Sequence, residues 1–365
     1  METNAIRLPL SLKAAFVVLG ILAVHVVLAQ AYFWQNREDY LFGYLVPLFV
    51  LYVIWERKDA LLALVSGRGH PDWATESGGE PEESAPRQSG EAPRGWTSFL
   101  LISAAWMGMV GGAMAFLIGA FVLGVMGTSG AGTFFLTSGF SLIVLCVLFL
   151  STPGDIPNPK WQSEASWSQR LRYDTRVQVA LLFLFPALIW LISAPLVDAL
   201  ERQVSLFLLN QVTAVVFFVF DMTMHPIQQH GNVLMLPSGP VHVAEACSGI
   251  RSLTACLFAG SFLAAVFLKS IWRKIALVGL AMLFAFFTNI LRSLFLTATA
   301  YYKGPEAIEG AVHDITGYAV LGLTSLGLIA LLPLFNLDLQ KPLRDREAAE
   351  AKKDSENNSG DKDQA

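Results

Sequence analysis

A cysteine stands directly before one of the most apolar stretches of the chain. The segment VAEACSGIRSL carries Cys247, followed at once by Ser248 and Gly249. If a helix begins here, its free N–H groups and its dipole favour the thiolate form of the cysteine. The segment therefore predicts either a capping arrangement where a loop enters the membrane or a nucleophile in an active site.

Two further polar groups stand in apolar surroundings downstream. The segment AFFTNILRSLFL places Asn289 and Arg292 one helical turn apart, and EGAVHDITGYAVLG places His313 one turn before Gly317. A guanidinium within an apolar helix is costly and usually faces a protein interior or a water-filled cavity. The alternatives are that Arg292 extends to the membrane surface and that His313 is a capping or interfacial residue.

Together these groups suit covalent catalysis on a carbonyl. A cysteine nucleophile needs a thiolate, positive charge at the developing oxyanion and a proton shuttle for the leaving group. Cys247, Arg292 and His313 supply them in that order. The expected product is a thioester, which an amine or hydroxyl would resolve by transfer and water would resolve by proteolysis.

The remaining cysteines and charges have simpler interpretations. Cys146 and Cys256 are expected to fill space as small apolar groups, with no disulfide framework. Glu245 and Arg251 flank Cys247 and are interpreted as an ion pair that shapes its loop.

No cofactor or metal is expected. Histidines in the segment before Cys247 lack the spacing of a zinc site, and no phosphate-binding loop of the P-loop type occurs. These histidines are His225, His230 and His242.

Composition restricts the class of protein. Of the 365 residues, 54% are hydrophobic and 15% are charged, with a mean hydropathy of +0.52. These values predict an integral membrane protein that contacts membrane lipids. The net charge of −4 argues against a nucleic-acid partner, because phosphate binding needs an excess of basic residues.

The apolar runs predict an all-α polytopic membrane protein with about eight transmembrane helices. The first apolar run follows Arg7 and Lys13. A segment of short strands outside the cytoplasm is predicted before the sixth helix. The run 204–220 is ambiguous because it contains Asn210, Gln211 and Thr213. The other predicted spans are 39–55, 98–123, 133–151, 177–197, 249–268, 275–298 and 312–335.

Basic residues predict the orientation. If the run 204–220 stays at the interface or is re-entrant, every basic cluster falls on the cytoplasmic side, and both termini with it. Cys247, Arg292 and His313 then face outside. The clusters are Arg7 and Lys13; Arg57, Lys58 and Arg68; Lys160, Arg170, Arg172 and Arg176; Lys269, Arg273 and Lys274; and Lys341, Arg344 and Arg346.

The chain is predicted to divide into six regions. An acidic loop rich in Pro, Gly and Ser and a highly polar tail are both predicted to be disordered and cytoplasmic. The regions are helices one and two (1–70), the acidic loop (71–95), helices three to five (96–200), the interfacial segment (201–246), the catalytic helices six to eight (247–336) and the tail (337–365).

The motifs EACSGIRSL, NILR and HDITG, in this order on the last three predicted helices, resemble those of the exosortase and archaeosortase family of membrane-embedded cysteine transpeptidases. GNVLMLP and PLFVLYVIWERK also look like family features. The resemblance implies Cys247 as nucleophile, with Arg292 and His313 as the other catalytic positions. Around these positions we predict supporting residues from the sequence, namely Ser248, Gly249, Arg251, Asn289 and Glu245.

The resemblance also implies partners and a location. Substrates would be membrane-anchored proteins with a C-terminal sorting signal of the Pro-Glu-Pro kind, transferred to a glycan or lipid acceptor at the surface of a bacterial inner membrane. Two alternatives stay open: an intramembrane cysteine protease, and a non-enzymatic membrane component of exopolysaccharide or protein export.

Overall fold

The structure is a computed structural model that describes residues 8–66, 96–154, 174–242, 250–268 and 270–336. Its described part consists of helices and one small sheet. The helices are α1 (Leu10–Asn36), α2 (Val46–Glu56), α3 (Lys58–Val65), α4 (Trp96–Met126), α5 (Gly130–Ser151), α6 (Thr175–Leu182), α7 (Leu184–Ser193), α8 (Asp198–Met222), α9 (Ile250–Phe267), α10 (Ile271–Lys303) and α11 (Ala311–Asn336). Two 3₁₀ segments are Glu38–Leu45 and Pro305–Ile308.

Eight helical stretches of the described chain are long and apolar enough to cross a membrane. This finding confirms an all-α polytopic membrane protein. Large apolar side chains cover the outer surface of the bundle, as on α4, where Phe121 is 71% exposed. Lipid is the solvent that suits such a surface.

The set of eight differs from the predicted set in two helices. The run 204–220 lies in α8, and the stretch Ala199–Met222 of this helix is long enough to span a membrane. The side chains of Asn210 and Gln211 are exposed, so these polar residues do not interrupt the helix. The predicted sixth span forms α9, but its apolar part, Ser252–Phe267, is shorter than the others. At 1.5 Å per residue that part covers about 24 Å, less than a hydrocarbon core of about 30 Å.

The first half of the bundle is held by close helix contacts and buried amides. A β-carbon on Gly119 would lie 2.3 Å from the Leu136 nitrogen, so α4 and α5 approach through glycine. Gln30 of α1 donates to the Thr137 hydroxyl at 2.9 Å and to the Trp190 carbonyl at 3.2 Å. This amide joins α1, α5 and α7 in an otherwise apolar core.

One end of the bundle, which we call the Arg57 end, is closed by guanidinium groups on helix carbonyls. Arg57 donates to the carbonyl of Leu182 and, at 3.3 Å, to that of Ala265. The Leu182 carbonyl is available because the residue four positions later, Pro186, has no N–H to donate. Burial lowers the pKa of Arg57, and its guanidinium stays charged.

The opposite end, which we call the Arg37 end, contains contacts between residues that are far apart in sequence. Arg37 forms a two-pronged ion pair with Glu201, with Nη1 to Oε2 at 3.1 Å. Thr254, in the first turns of α9, lies with its hydroxyl 3.1 Å from the Asp39 carbonyl. The starts of α8 and α9 therefore lie at the same end as the end of α1.

The C-terminal end of α8 also lies at the Arg37 end. His225, just beyond α8, contacts the hydroxyl of Tyr302 at 2.8 Å, next to the last residue of α10. Leu209, Val212 and Val216 share a buried cluster with Leu296 and Ala300 of α10. Both ends of α8 thus adjoin the same end of the bundle.

The predicted short strands form a three-stranded antiparallel sheet. β1 (Gln228–His230) pairs with β2 (Val233–Leu236), which pairs with β3 (Gly239–His242). Gly231 has φ +61°, as the tight turn between β1 and β2 requires. The inner face of the sheet, with Leu234 fully buried, covers the C-terminal end of α10.

Candidate functional site

Part of the predicted site falls outside the described residues. Cys247 and its neighbours Glu245, Ser248 and Gly249 lie there, as do the predicted loop 71–95 and tail 337–365. Arg251 lies in α9 and His313 in α11, but their side chains are not among those described. The described geometry of the site therefore comes from three helices: α9, α10 and α11.

α9 and α10 run antiparallel in close contact. A β-carbon on Gly260 would lie 2.7 Å from the β-carbon of Ala281. α9 starts at the Arg37 end, where Thr254 meets Asp39, and its Ala265 lies at the Arg57 end. α10 starts at the Arg57 end, where Arg273 donates to the Phe335 carbonyl at 3.1 Å.

Arg292 continues the face of α10 that contacts α9. Arg292 follows Ala281 by eleven residues. At about 100° per residue, eleven residues rotate a helix by three full turns and about 20°, so the two residues lie on nearly the same face. Counting eleven residues back from Gly260 along α9 gives Gly249, which immediately precedes the first helical residue, Ile250. Arg292 is thus directed along the α9 side of α10, at the level where α9 begins.

The guanidinium of Arg292 lies against α11. Its Nη2 is 3.5 Å, and its Cζ 3.7 Å, from the point that a β-carbon on Gly317 would occupy. A side chain longer than a methyl group at position 317 would take the space of the guanidinium. This pairing gives a physical reason for a small residue at this position of HDITG.

His313 is placed at the start of α11. The helix begins at Ala311, and His313 precedes Gly317 by one turn, or about 6 Å along the axis. Phe335, near the other end of α11, receives the hydrogen bond of Arg273 at the Arg57 end. His313 therefore belongs to the same end of the bundle as the start of α9.

Asn289 is a buried neighbour of Arg292. Its residue is 3% exposed, one turn before Arg292 on α10. Its carbonyl accepts a 2.9 Å hydrogen bond from the Ser293 hydroxyl. The predicted supporting position of Asn289 is consistent with this location.

Cys146 and Cys256 are both buried, as predicted for space-filling thiols. Cys256 forms a side-chain hydrogen bond with Thr324 of α11, whose hydroxyl is 3.0 Å from that of Thr288 on α10. This contact fixes α9 and α11 at a common level below the site. Gly317 precedes Thr324 by seven residues on α11, and Ile250 precedes Cys256 by six residues on α9. Since both helices begin at the Arg37 end, Gly317 and Ile250 lie at nearly the same level.

The histidines predicted not to form a zinc site lie at the sheet and just before it. His225 bonds with Nδ1 to the Thr223 hydroxyl at 3.0 Å and with Nε2 to Tyr302, while His230 lies on β1 and His242 on β3. Among the described residues, no group of three or more His, Cys, Asp or Glu could hold a metal ion.

The sheet is fastened to the helix that carries Arg292. The Ser238 hydroxyl, in the β2–β3 turn, donates to the Ala300 carbonyl at 2.7 Å. A β-carbon on Gly239 would lie 3.1 Å from Cγ of Pro305. β3 ends at His242, five residues before Cys247, so the chain that leads to the cysteine starts from a fixed point on α10.

The ion pair of Arg37 with Glu201 was not predicted from the sequence. The two residues are 164 positions apart. Each residue lies in a short charged segment beside an apolar run, and nothing in the sequence indicates which charges pair. The hydrogen bond and charge of Glu201 raise the pKa of Arg37, and the pair ties α8 to α1 beside the start of α9.

Comparison with known proteins identifies the family. Residues 34–330 match the family model described as transmembrane exosortase. Searches of curated proteins and of solved structures found no significant match. The matched range includes α2 to α10, the sheet and most of α11, and so covers the three helices that surround Arg292. The chain belongs to the transmembrane exosortase family.

Proposed function

We propose that this protein is a cysteine transpeptidase that cleaves a C-terminal sorting signal and transfers the cleaved protein to a surface acceptor. Membership of the transmembrane exosortase family supports a transpeptidase-like role on protein substrates with sorting signals. The specific assignment rests on one observation. The guanidinium of Arg292 lies against Gly317 of α11. The residue spacing from Ala281 further supports a position on the α9 side of α10, at the level where α9 begins.

This position favours Arg292 as the oxyanion-binding group. Cys247 precedes Ile250 by three residues, and three residues of chain reach about 11 Å at most. His313 stands one turn above Gly317. The start of α9, the start of α11 and Arg292 lie at the Arg37 end, which supports a site that Cys247, His313 and Arg292 share.

The reaction proceeds in two balanced halves. His313 takes the proton of the Cys247 thiol, and the thiolate adds to the scissile carbonyl carbon while Arg292 binds the oxyanion. The carbon–nitrogen bond then breaks, and the amine leaves with the proton from His313, which produces a thioester. An acceptor amine or hydroxyl gives its proton to His313, attacks the thioester and releases the thiolate.

We place the Arg37 end outside the cytoplasm. The Arg57 end carries Arg57, Lys58, Arg273 and Lys274, and basic residues mark the cytoplasmic side of membrane proteins. Both ends of α8 adjoin the Arg37 end, which supports the prediction that 201–246 stays on the outer side. We infer that α8 stays at the outer interface and that both termini therefore lie in the cytoplasm.

The test is substrate processing in cells. A reporter that ends in a Pro-Glu-Pro-type motif, an apolar helix and a basic tail is co-expressed with the wild type or with Cys247→Ala, Arg292→Ala or His313→Ala. We expect processing to stop in the cysteine variant and to fall about 100- to 1000-fold without the arginine, as for loss of an oxyanion donor. Normal processing in all three would refute the assignment.

The product distinguishes transfer from hydrolysis. Mass spectrometry of the processed reporter should find its new C-terminus joined to a glycan or lipid. A free carboxylate alone would indicate an intramembrane cysteine protease. An export component would need neither product and would tolerate Cys247→Ala.

A further inference from the structure

Positive charge gathers at the Arg57 end in a small area. Arg57 and Lys58 follow α2, and Arg273 and Lys274 lie in the first turn of α10. Lys274 interacts electrostatically with both Arg57 and Glu56. Arg57 also contacts the Ala265 carbonyl near the end of α9, six residues before α10 begins, so the two pairs of cations, far apart in sequence, lie at one end of the bundle.

Most of these cations already have fixed protein partners. The Arg57 guanidinium donates to the Leu182 and Ala265 carbonyls, and Arg273 donates to the Phe335 carbonyl. Glu56 is the acid that contacts Arg57, at 4.0 Å from Nε, and its side chain is 40% exposed. Arg57 is held in place by these contacts, and its side chain is only 13% exposed.

Lys274 adds a second positive charge beside this fixed one. It is half-buried, and like charges repel more strongly when water is partly excluded. Within the part of the chain that the structure describes, the partly exposed carboxylate of Glu56 acts on both cations. The pair Arg57 and Lys274 therefore favours binding of a further anion.

The surroundings indicate an anion that comes from the membrane. Trp55 is 62% exposed and Trp272 is 76% exposed, one beside each half of the cluster. Lys58 lies over the Trp55 ring, 4.9 Å from its centroid. Tryptophans with this exposure sit at the headgroup level of a bilayer, where lipid phosphates lie.

We propose that Arg57 and Lys274 form a binding site for the phosphate of an anionic phospholipid, framed by Trp55 and Trp272. The site lies at the end of the bundle opposite the candidate catalytic residues, so it does not depend on the proposed reaction. Its ligand holds the ends of α2 and α10 together.

The experiment measures the thermal unfolding of the full-length, detergent-solubilised protein with added lipid. Phosphatidylglycerol should raise the unfolding midpoint, and phosphatidylcholine with the same acyl chains should not. Lys274→Gln should abolish the rise, and Lys274→Arg should keep it. Lys303→Gln, at the other end of the same helix, is the matched control and should behave like the wild type.

Three results would overturn the proposal. One is an equal rise with phosphatidylcholine, and another is an undiminished rise in Lys274→Gln. The third is an equal rise with inorganic phosphate alone, since it would show that the site takes a free ion rather than a lipid. If Lys274→Gln fails to fold, Trp272→Ala takes its place, and an undiminished rise in that variant would overturn the proposal.

Discussion

The guanidinium of Arg292 occupies the space beside Gly317 on the neighbouring helix, with Nη2 3.5 Å from the point where a β-carbon would stand. This relationship places a fixed positive charge between the starts of α9 and α11. It also makes Gly317 a sensitive position for testing the site without changing any group proposed to react.

Substitutions at Gly317 should grade with size. In Gly317→Ala the added methyl would make ordinary van der Waals contact with the guanidinium, so processing of a sorting-signal reporter should persist. Gly317→Leu should displace Arg292 and reduce processing by a factor approaching that of Arg292→Ala. Gly322→Leu is the control, because no atom lies within 4 Å of a β-carbon there. Equal processing in Gly317→Leu and Gly322→Leu would show that the pairing has no role.

The anchor of the sheet should matter for rate. Ser238→Ala removes the hydrogen bond to the Ala300 carbonyl, a loss of about 1 kcal/mol in stability. If the anchor sets the start of the chain that leads to Cys247, the maximal rate of processing should fall while the substrate concentration at half-maximal rate changes little, and Ser238→Thr should restore it. Thr299→Ala, which removes a hydroxyl bonded within α10, should leave the rate unchanged. If the slower processing by Ser238→Ala is fully explained by a smaller amount of the variant protein in the membrane, the positioning role is contradicted.

Arg57 should stabilise the bundle through the carbonyl that Pro186 leaves available. Arg57→Ala removes charged hydrogen bonds worth about 1.5–3 kcal/mol each and should lower the thermal unfolding midpoint markedly. In a Pro186→Ala background the restored N–H can bond the Leu182 carbonyl, so the same Arg57→Ala change should cost less. Midpoints of the four variants of this cycle measure the coupling, and additive effects would refute this link.

Labelling with an impermeant thiol reagent tests the orientation. Cys247 in intact cells should react from outside only. In a background without other cysteines, single cysteines at Arg202 and at Met224, near the two ends of α8, should also react from outside, whereas one at Lys58 should react only after permeabilisation. Labelling of positions 202 and 224 from opposite sides would show that α8 crosses the membrane.

Much of the fold could be predicted from the sequence because lipid makes apolar length informative. The bounds of α9, α10 and α11 match the predicted runs to within a few residues, and the turn-rich segment after α8 forms the predicted strands. The length of α8 could not be settled in this way, because Asn210 and Gln211 are tolerated on an exposed helix face. Whether a helix crosses the membrane depends on its contacts with the rest of the bundle. For α8 these contacts involve Arg37 at one end and Tyr302 at the other.

The helices that carry the candidate site were predictable, whereas the catalytic roles of its residues stay predictions. A guanidinium in an apolar run indicated Arg292, and the depth of Gly317 followed from its spacing after His313. The contact between them could not be predicted, because it depends on how α10 and α11 are rotated against each other. The ion pair of Arg37 with Glu201 and the carbonyl contacts of Arg57 were missed for the same reason, since their partners are more than a hundred residues away.

The most direct test of the central claim is capture of the proposed thioester. The wild-type protein is incubated with the sorting-signal reporter in the absence of an acceptor, the reaction is stopped with acid, and the protein is digested and analysed by mass spectrometry. We predict a reporter fragment attached to Cys247 through a bond that neutral hydroxylamine cleaves, and no such adduct in Cys247→Ala. Processed reporter in Cys247→Ala, with no adduct in any variant, would contradict the account.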